Sequence, residues 1–432
     1  MHATPVPVVR RPPPRSVFSR PLSAAKRILC LALSVIGCAG EESPADDLAG
    51  EGAVITDSAS VELVSNSGSG WSPASRWRLH PDLQVGDVDG PMAFGNVRWV
   101  APGPDGGMLV LDSQSRRVHL FARDGSHRRS FGREGDGPGE FRRPASVTFV
   151  PGDRIAVTEG FPPVVHWLDT TGAYLEALRL PGARAPEETR TAGFLAAWQV
   201  TTTGLSFAQV MILGPPSGDR AEAMPVRLLR FGQRAAMPDT MLEWTWEPGV
   251  GSEEIRVFEP QKTWAPGPDG AFLFSPGGPY EVRAYDSAGS LVRIVSRAVP
   301  KARVTRQHRE AALREMREEM TSGGAPQPMI DEMLDHAVFE AALPHLWRVW
   351  LSEPDGCIWV GVHDPDLAPA DGPSRVTANA WDIFSPAGSY LGRLPAPDGF
   401  SLHVVRDGEV YGAWENELQV PYAVRYRVVR PG

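Results

Sequence analysis

The sequence predicts an all-β fold, a six-bladed β-propeller with a small helical insertion, and three observations support this prediction. The hexapeptide at residues 101–106 recurs letter for letter at residues 265–270, and each copy precedes an apolar run. Tight turns containing Gly and Asp mark about six units, most of them about 50 residues apart, as four short antiparallel strands per unit require. The 432 residues include 44 Gly and 42 Pro, which suits many hairpin turns.

The N-terminal region predicts export. Residues 1–27 include six basic residues and no acidic ones, and they precede a short apolar run at residues 28–36. A run of about ten residues is too short to span a bilayer but suits the apolar core of a secretory signal. The run ends in Val35-Ile36-Gly37-Cys38, which resembles the lipobox of bacterial lipoproteins. This resemblance implies a signal peptide over residues 1–37, secretion across the inner membrane and a membrane lipid anchor at Cys38. The alternative is an ordinary signal peptide with a chance cysteine.

Residues 38–70 are predicted to form a flexible acidic tether between the anchor and the folded part. Residues 39 and 40 are Ala and Gly, without the aspartate that holds such lipoproteins at the inner membrane. The resemblance therefore favours the outer membrane of a two-membrane bacterium. Removing residues 1–37, with their six positive charges, lowers the net charge from −9 to about −15. This charge disfavours nucleic acid as a partner.

Residues 132–144 contain the most specific internal motif, G-x-x-G-x-G-x-G-x-F-x-x-P. Its defining residues are Gly132, Gly135, Gly137, Gly139, Phe141 and Pro144. The motif resembles the blade junction of NHL-repeat propellers, in which glycines accept positive φ, the phenylalanine wedges between blades and the proline begins a strand. The chain as a whole is similar to bacterial six-bladed propeller lipoproteins with NHL-like repeats, a group defined by fold more than by activity. The resemblance implies a structural role for these six residues.

The propeller is predicted to cover residues 71–432, with a helical insertion at residues 304–342. Helical periodicity follows Thr305, and a second, shorter helix is expected from about residue 328 to residue 340. The residues expected on one stripe of each helix are Ala312, Met316 and Met320, and then Met329, Met333 and Ala337. Packing of these stripes onto the propeller is favoured over a partner-binding surface.

The last blade is one strand short in sequence. After the turn at residues 407–408, the chain has room only for strands at Glu409–Trp414 and Tyr422–Val429. The missing strand is expected from the other end of the chain, from the segment Arg76-Trp77-Arg78-Leu79.

The candidate inner strands disfavour a metal-dependent enzyme. They are residues 97–100, 146–149, 196–200, 263–264, 347–350 and 402–405, and their sequences contain no Asp, Glu or Asn. Lactonase-like propellers place those residue types around a central metal. No catalytic residue, metal ligand or cofactor is therefore assigned, and Cys357 is interpreted as a buried small hydrophobe rather than a reactive thiol.

Four tryptophans lie near the inner strands of four different blades: Trp99, Trp198, Trp264 and Trp350. They either line the central channel and stack on a flat ligand such as a sugar ring, or fill the wedges between blades. Packing between blades is the favoured interpretation, because large aromatic area stabilises the ring.

The sequence thus favours a monomeric, envelope-anchored, non-catalytic binding or scaffolding propeller. It would engage a protein or a small ligand through a propeller face. Two alternatives stay open, a metal-dependent hydrolase or lyase of the lactonase-like type and a carbohydrate-binding propeller.

Overall fold

The computed structural model describes residues 53–431, apart from residues 59, 69, 161–162, 180–191, 214–222, 233–237, 247–253, 323–324 and 368–377. The signal segment and Cys38 lie outside these described residues. Neither helix among the described residues has the length and apolar character needed to cross a membrane.

The described strands form the six four-stranded antiparallel blades of a propeller, as the sequence predicts. Three strands precede the first blade: β1 (Ala53–Ser58), β2 (Val61–Asn66) and β3 (Arg78–Val85). Blade 1 consists of β4 (Val97–Pro102), β5 (Met108–Asp112), β6 (Arg117–Phe121) and β7 (His127–Phe131). Blade 2 consists of β8 (Pro144–Val150), β9 (Arg154–Glu159), β10 (Val164–Asp169) and β11 (Tyr174–Arg179). Blade 3 consists of β12 (Ala192–Val200), β13 (Ser206–Leu213), β14 (Met224–Phe231) and β15 (Asp239–Trp246).

The second half of the ring contains the insertion. The short strand β16 (Ile255–Val257) precedes blade 4. Blade 4 consists of β17 (Thr263–Pro266), β18 (Phe272–Ser275), β19 (Glu281–Tyr285) and β20 (Leu291–Arg297). The insertion contains α1 (Arg306–Ser322), α2 (Gln327–Asp335) and β21 (Ala337–Phe339). Blade 5 consists of β22 (Arg348–Leu351), β23 (Ile358–Val362), β24 (Ala380–Phe384) and β25 (Tyr390–Pro395). Blade 6 consists of β26 (Phe400–Arg406), β27 (Glu409–Glu415), β28 (Pro421–Val429) and the N-terminal strand β3.

The core lies between stacked blades, and the apolar sequences of the second strands reflect this. β5 and β23 are buried at every residue because neighbouring blades cover both of their faces. A continuous apolar run is typical of such a strand. The outer strand β7, in contrast, is mostly exposed. The first strand of each blade faces the central axis, and the six candidate inner-strand segments lie on or directly beside these strands.

The ring closes through β3, which pairs antiparallel with β28 from Val85 opposite Ala423 to Arg78 opposite Val429. This confirms that the missing strand of the last blade comes from the N-terminal side. The pairing begins at Arg78 and extends past the four residues that the sequence analysis proposed. Trp77, directly before the strand, is buried.

Arg425 joins the closing strand to the first blade. The buried guanidinium donates from Nε to Oδ2 of Asp82 on β3 over 2.7 Å, and from Nη1 and Nη2 to the carbonyl oxygens of Gly106 and Arg123 in blade 1 over 2.9 Å each. Burial opposes ionisation of Asp82, but the hydrogen bonds from Arg425 and Arg427 hold its pKa below the ordinary value of 3.8. One side chain therefore connects the two ends of the ring.

Residues 53–66 correct the expectation of a flexible tether over residues 38–70. β2 pairs in parallel with β20, the outer strand of blade 4, and β1 pairs antiparallel with β2. Asn66 is buried; its Nδ2 donates to the carbonyl oxygens of Ser296 and Gly388, and its Oδ1 accepts the N–H of Tyr390. The polar composition of this segment did not indicate a strand. The side chain of Asn66 nevertheless belongs in the interior, because it makes hydrogen bonds to backbone groups of blades 4 and 5 instead of to water.

The first helix of the insertion packs as expected, whereas the second does not. Ala311 and Ala312 are buried against Val257 and Phe258, and Met316 packs against the same cluster. The prediction for the second helix is wrong in extent and in orientation. Residues 337–339 leave the helix to pair in parallel with β16. The buried residues of α2 are Ile330 and Leu334, and its two methionines are 50% and 38% exposed.

We predict that Arg425→Met destabilises the ring by about 3–5 kcal/mol, because it removes a buried cation that binds Asp82 and leaves the carbonyl oxygens of Gly106 and Arg123 without their donor. Arg427→Met is the matched control, since Arg427 also binds Asp82 but is exposed, and it should cost about 0–1 kcal/mol. Denaturant unfolding of the two variants measures both values. Equal losses would show that closure does not depend on Arg425.

Candidate functional site

The predicted blade-junction residues pack against one another and against blades 1 and 2. Phe141 is fully buried in an apolar cluster to which blades 1 and 2 both contribute, and Pro144 begins β8. Gly132 has a φ of 88°, and a Cβ there would lie 2.4 Å from the Phe141 ring. Gly135 and Gly139 also have positive φ. Gly137 does not, and its N–H instead donates to Glu140 Oε2 over 2.8 Å.

The four tryptophans separate into two pairs. Trp198 is 5% exposed in the core between blades 2 and 3. Trp264 is 5% exposed between blades 3 and 4, and its Nε1 donates to Gln209 Oε1 over 2.8 Å. These two fill the wedges between blades. Trp99 and Trp350 are only half-buried and line a cavity in the central channel, the position that the stacking alternative requires.

This cavity has a volume of about 80 Å³ and is lined by the inner strands of all six blades. Its polar and charged lining residues are Ser146, Thr148, Gln199, Thr201, Arg348, Glu353, His403 and Arg406. A single water needs roughly 10–15 Å³ on this measure, so the space suits several waters or one small organic molecule.

Arg348 is the central charged residue of the cavity. It lies on β22 two residues before Trp350, so the two side chains leave the strand on the same face. The guanidinium carbon is 5.4 Å from the ring centroid of Trp350 and 5.7 Å from that of Trp99. Both distances lie within the range of a cation–π interaction.

Among the described residues, no carboxylate balances this arginine. In that part of the chain its guanidinium makes no ion pair and no hydrogen bond, and it lies over the rings of Trp99 and Trp350. Removal from bulk water, and then the positive charge of nearby Arg98, lower the pKa of Arg348 to about 10. The group is still protonated at neutral pH and is therefore a half-buried cation without a counterion among the described residues.

His403 completes the aromatic wall. Its ring stacks on Trp99 with centroids 5.0 Å apart and an interplanar angle of 3°. Its Nδ1 lies 2.9 Å from the backbone nitrogen of Val100 and accepts that N–H, so the proton of the neutral ring resides on Nε2. Burial, followed by the charges of Arg348 and Arg98, lowers the pKa of His403 to about 3. The ring is therefore neutral at physiological pH.

The two other charged residues of the cavity, Glu353 and Arg406, form an ion pair. Glu353 Oε2 lies 3.3 Å from Nη2 of Arg406 and accepts the hydroxyl of Thr202 over 2.9 Å. Glu353 is the one carboxylate among the described lining residues. In the described part of the chain, no three side chains of His, Cys, Asp or Glu group together as metal ligands.

The guanidinium of Arg348 is an unmatched group of hydrogen-bond donors at the cavity. It has up to five N–H donors, and no acceptor for them lies among the described residues. The Nε1 of Trp350 and the Nε of Arg406 also lack acceptors within the described residues, but both atoms are buried away from the cavity. A ligand with oxygen acceptors would therefore bind through Arg348.

Cys357 has an ordinary structural environment. It is fully buried, and burial raises the pKa of its thiol to about 12. Sequence reasoning missed Arg348 and His403. The available signal was Arg348 between two tryptophans on a strand already assigned to the channel.

No protein-family model matches the chain, and no curated protein matches its sequence. Among solved structures, the chain is similar to a member of the DUF4221 family from Bacteroides vulgatus, with 9% identity and a TM-score of 0.51 over 83% of this chain and 99% of that one. It is also similar to a protein from Bacteroides fragilis described as exported, with 12% identity and a TM-score of 0.47 over 85% and 100% of the two chains. A gluconolactonase from Xanthomonas campestris has 12% identity and a TM-score of 0.41 over 83% and 99%. Identities this low show the fold alone.

We predict that the two tryptophan pairs differ in stability. Trp198→Ala and Trp264→Ala should each cost about 3–5 kcal/mol, because each truncation opens a cavity in the core. Trp99→Ala and Trp350→Ala should cost less than half of that, since both rings already border an open channel. Denaturant unfolding of the four variants measures the difference. Four equal losses would place all four rings in the core.

We predict that His403 makes the protein less stable at acidic pH. The pKa of the ring is about 3 in the folded protein and 6.5 when unperturbed. As the pH falls through this window, the unfolded chain takes up a proton that the folded chain does not, so stability falls with pH. His403→Gln should flatten the fall of Tm with pH in this window, and the exposed His80→Gln should not. An unchanged slope in His403→Gln would refute the assignment of a neutral ring.

Proposed function

We propose that the protein is an envelope-anchored, non-catalytic binding protein that takes up a small ligand in its central channel. The observation that supports this most directly is the cavity itself, in which Trp99, Trp350 and Arg348 face a space large enough for a small molecule. Ligand sites are typically concave, largely apolar and equipped with a few polar groups. The sequence suggested binding through a propeller face, and we now propose that the side chains lining the central cavity form the binding site.

A non-catalytic role agrees with the chemistry of this cavity. The one carboxylate among its described lining residues is paired with Arg406, and the one lining histidine is held neutral with a pKa of about 3. An imidazole with so low a pKa is unprotonated near neutral pH and cannot serve there as a general acid. The metal-dependent hydrolase or lyase alternative has less support, because the uncompensated charge of the cavity is positive and would repel a metal cation.

A carbohydrate-binding propeller is the second candidate, and the half-buried rings of Trp99 and Trp350 favour it. Both rings border the cavity, and aromatic faces suit flat apolar surfaces such as those of sugar rings. A neutral sugar would use the rings but would leave Arg348 without a counterion.

Binding in the channel is tested by calorimetric titration of a panel of small neutral and charged compounds. We expect at least one compound to bind the wild type and to lose binding in Trp350→Ala. Trp246→Ala is the matched control, because Trp246 lies 38% exposed on the outer strand of blade 3. Compounds that bind Trp350→Ala and the wild type equally, or a panel without any binder, would contradict the proposal.

We predict that the anchor depends on Cys38. Two or more acyl chains hold a protein firmly on a bilayer whereas one chain holds it only marginally, so a lipidated Cys38 should resist salt washes. Cys38→Ser should release the protein from the membrane fraction. The measurement is fractionation of cells that express the wild type or the variant, with mass spectrometry of the N-terminal peptide. Retention of an unlipidated Cys38→Ser protein would refute the assignment.

A further inference from the structure

We propose that the ligand of the channel is a small organic carboxylate, bound through the guanidinium of Arg348. This inference rests on the proposed function, since it names the ligand class of the same cavity. The geometry that supports it is an arginine flanked by two tryptophan rings, at 5.4 and 5.7 Å, in a cavity of about 80 Å³.

The aromatic contacts of Arg348 satisfy only part of its chemistry. The faces of Trp99 and Trp350 stabilise positive charge. They offer no oxygen or nitrogen acceptor in return, because the indole N–H only donates. A guanidinium has up to five N–H donors in a planar fork, and the half-buried Arg348 lines the cavity where a ligand could accept them. The site therefore provides apolar walls for a ligand, while the N–H donors of Arg348 lack acceptors among the described residues.

The electrostatic surroundings select an anion. Arg98 is the charged group whose field lowers the pKa of Arg348, and Arg348 and Arg98 together act on His403. Glu353 is held by Arg406 and Thr202. The chain as a whole has a net charge of −9, so general attraction of anions to the protein is unfavourable. Anion binding would therefore depend on this local cluster and not on the surface at large.

The shape and the walls favour a carboxylate over an inorganic oxyanion. The arginine fork matches a planar carboxylate through two parallel N–H···O hydrogen bonds. The adjacent tryptophan faces can stack on a flat organic body attached to that carboxylate, whereas phosphate or sulfate would leave them without a partner. Across the cavity on β8, the hydroxyls of Ser146 and Thr148 already bond to the Thr158 hydroxyl and the Val200 carbonyl oxygen, so the tryptophan faces would provide most of the contact with the organic body.

The test is isothermal titration of the purified protein, in a buffer without phosphate, with pairs of compounds that differ in charge. Benzoate is compared with benzamide and galacturonate with galactose, while inorganic phosphate and sulfate serve as the third arm. We expect each carboxylate to bind more tightly than its neutral counterpart by about tenfold or more, as hydrogen bonds to a charged group predict. We expect phosphate and sulfate to bind more weakly than either carboxylate.

Variants locate the effect. Arg348→Met should abolish the preference for the carboxylate, and Arg348→Lys should weaken it, because lysine keeps the charge but loses the planar fork. Arg128→Met is the control, since Arg128 lies on the outer strand of blade 1 and pairs with Asp105 there. The comparison of charged and neutral compounds on the wild type needs no variant, so the test stands even if Arg348→Met does not fold.

The outcomes separate this inference from the proposed function. Neutral compounds that bind in a Trp350-dependent manner, without any preference for their carboxylates, would overturn the inference and leave the proposed function in place. Tighter binding of phosphate or sulfate than of both carboxylates would also overturn it. Absence of binding by every compound would contradict both. A carboxylate preference that persists unchanged in Arg348→Met would assign the anion to another site.

Discussion

Closure of the ring at the seam between blades 6 and 1 is the constraint on which the rest of the structure depends. β3 supplies the fourth strand of blade 6, and Arg425 joins that strand to carbonyl oxygens of blade 1. The channel site spans the same seam. His403 of blade 6 stacks on Trp99 of blade 1 and accepts the Val100 N–H. Opening the ring would therefore separate two walls of the cavity. Both the stability of the fold and the integrity of the binding site thus depend on the contact between blades 6 and 1.

The channel holds a charged arginine that has no counterion among the described residues. Ionisable groups in an unusual environment within a cleft are candidates for functional sites. Arg348 is half-buried, and with a pKa of about 10 its side chain stays charged. Elsewhere in the described part of the ring, a fully buried carboxylate has several hydrogen-bond donors around it. Asp382, for example, is fully buried but accepts hydrogen bonds from Arg297, Arg393 and two tyrosines. This contrast within one protein distinguishes a structural ion cluster from a site that awaits a ligand.

The propeller architecture could be predicted from the sequence because turns and apolar strands leave local patterns in it. Turn spacing set the blades, apolar runs marked the buried strands, and the short final blade required a strand from the N-terminal side. The sequence analysis did not predict β2, the strand that adds to the outer edge of blade 4, because Asn66 makes its hydrogen bonds to residues far away in sequence. The candidate site could be predicted only in part. The sequence places Trp350 and Arg348 on one inner strand, but the lack of an ion-pair partner for Arg348 among the described residues becomes apparent only when all six inner strands are assembled. His403 resembled any isolated histidine until its stacking on Trp99 was known.

A crystal of the wild-type protein soaked with 4-bromobenzoate tests the central claim most directly, because the bromine gives an anomalous signal that locates the ring and the refined map locates the carboxylate. The account predicts a bromine peak inside the central channel, with the carboxylate oxygens about 2.7–2.9 Å from the guanidinium nitrogens of Arg348. A channel without bromine in crystals that bind the compound elsewhere, or a bound ring whose carboxylate points away from Arg348, would contradict it.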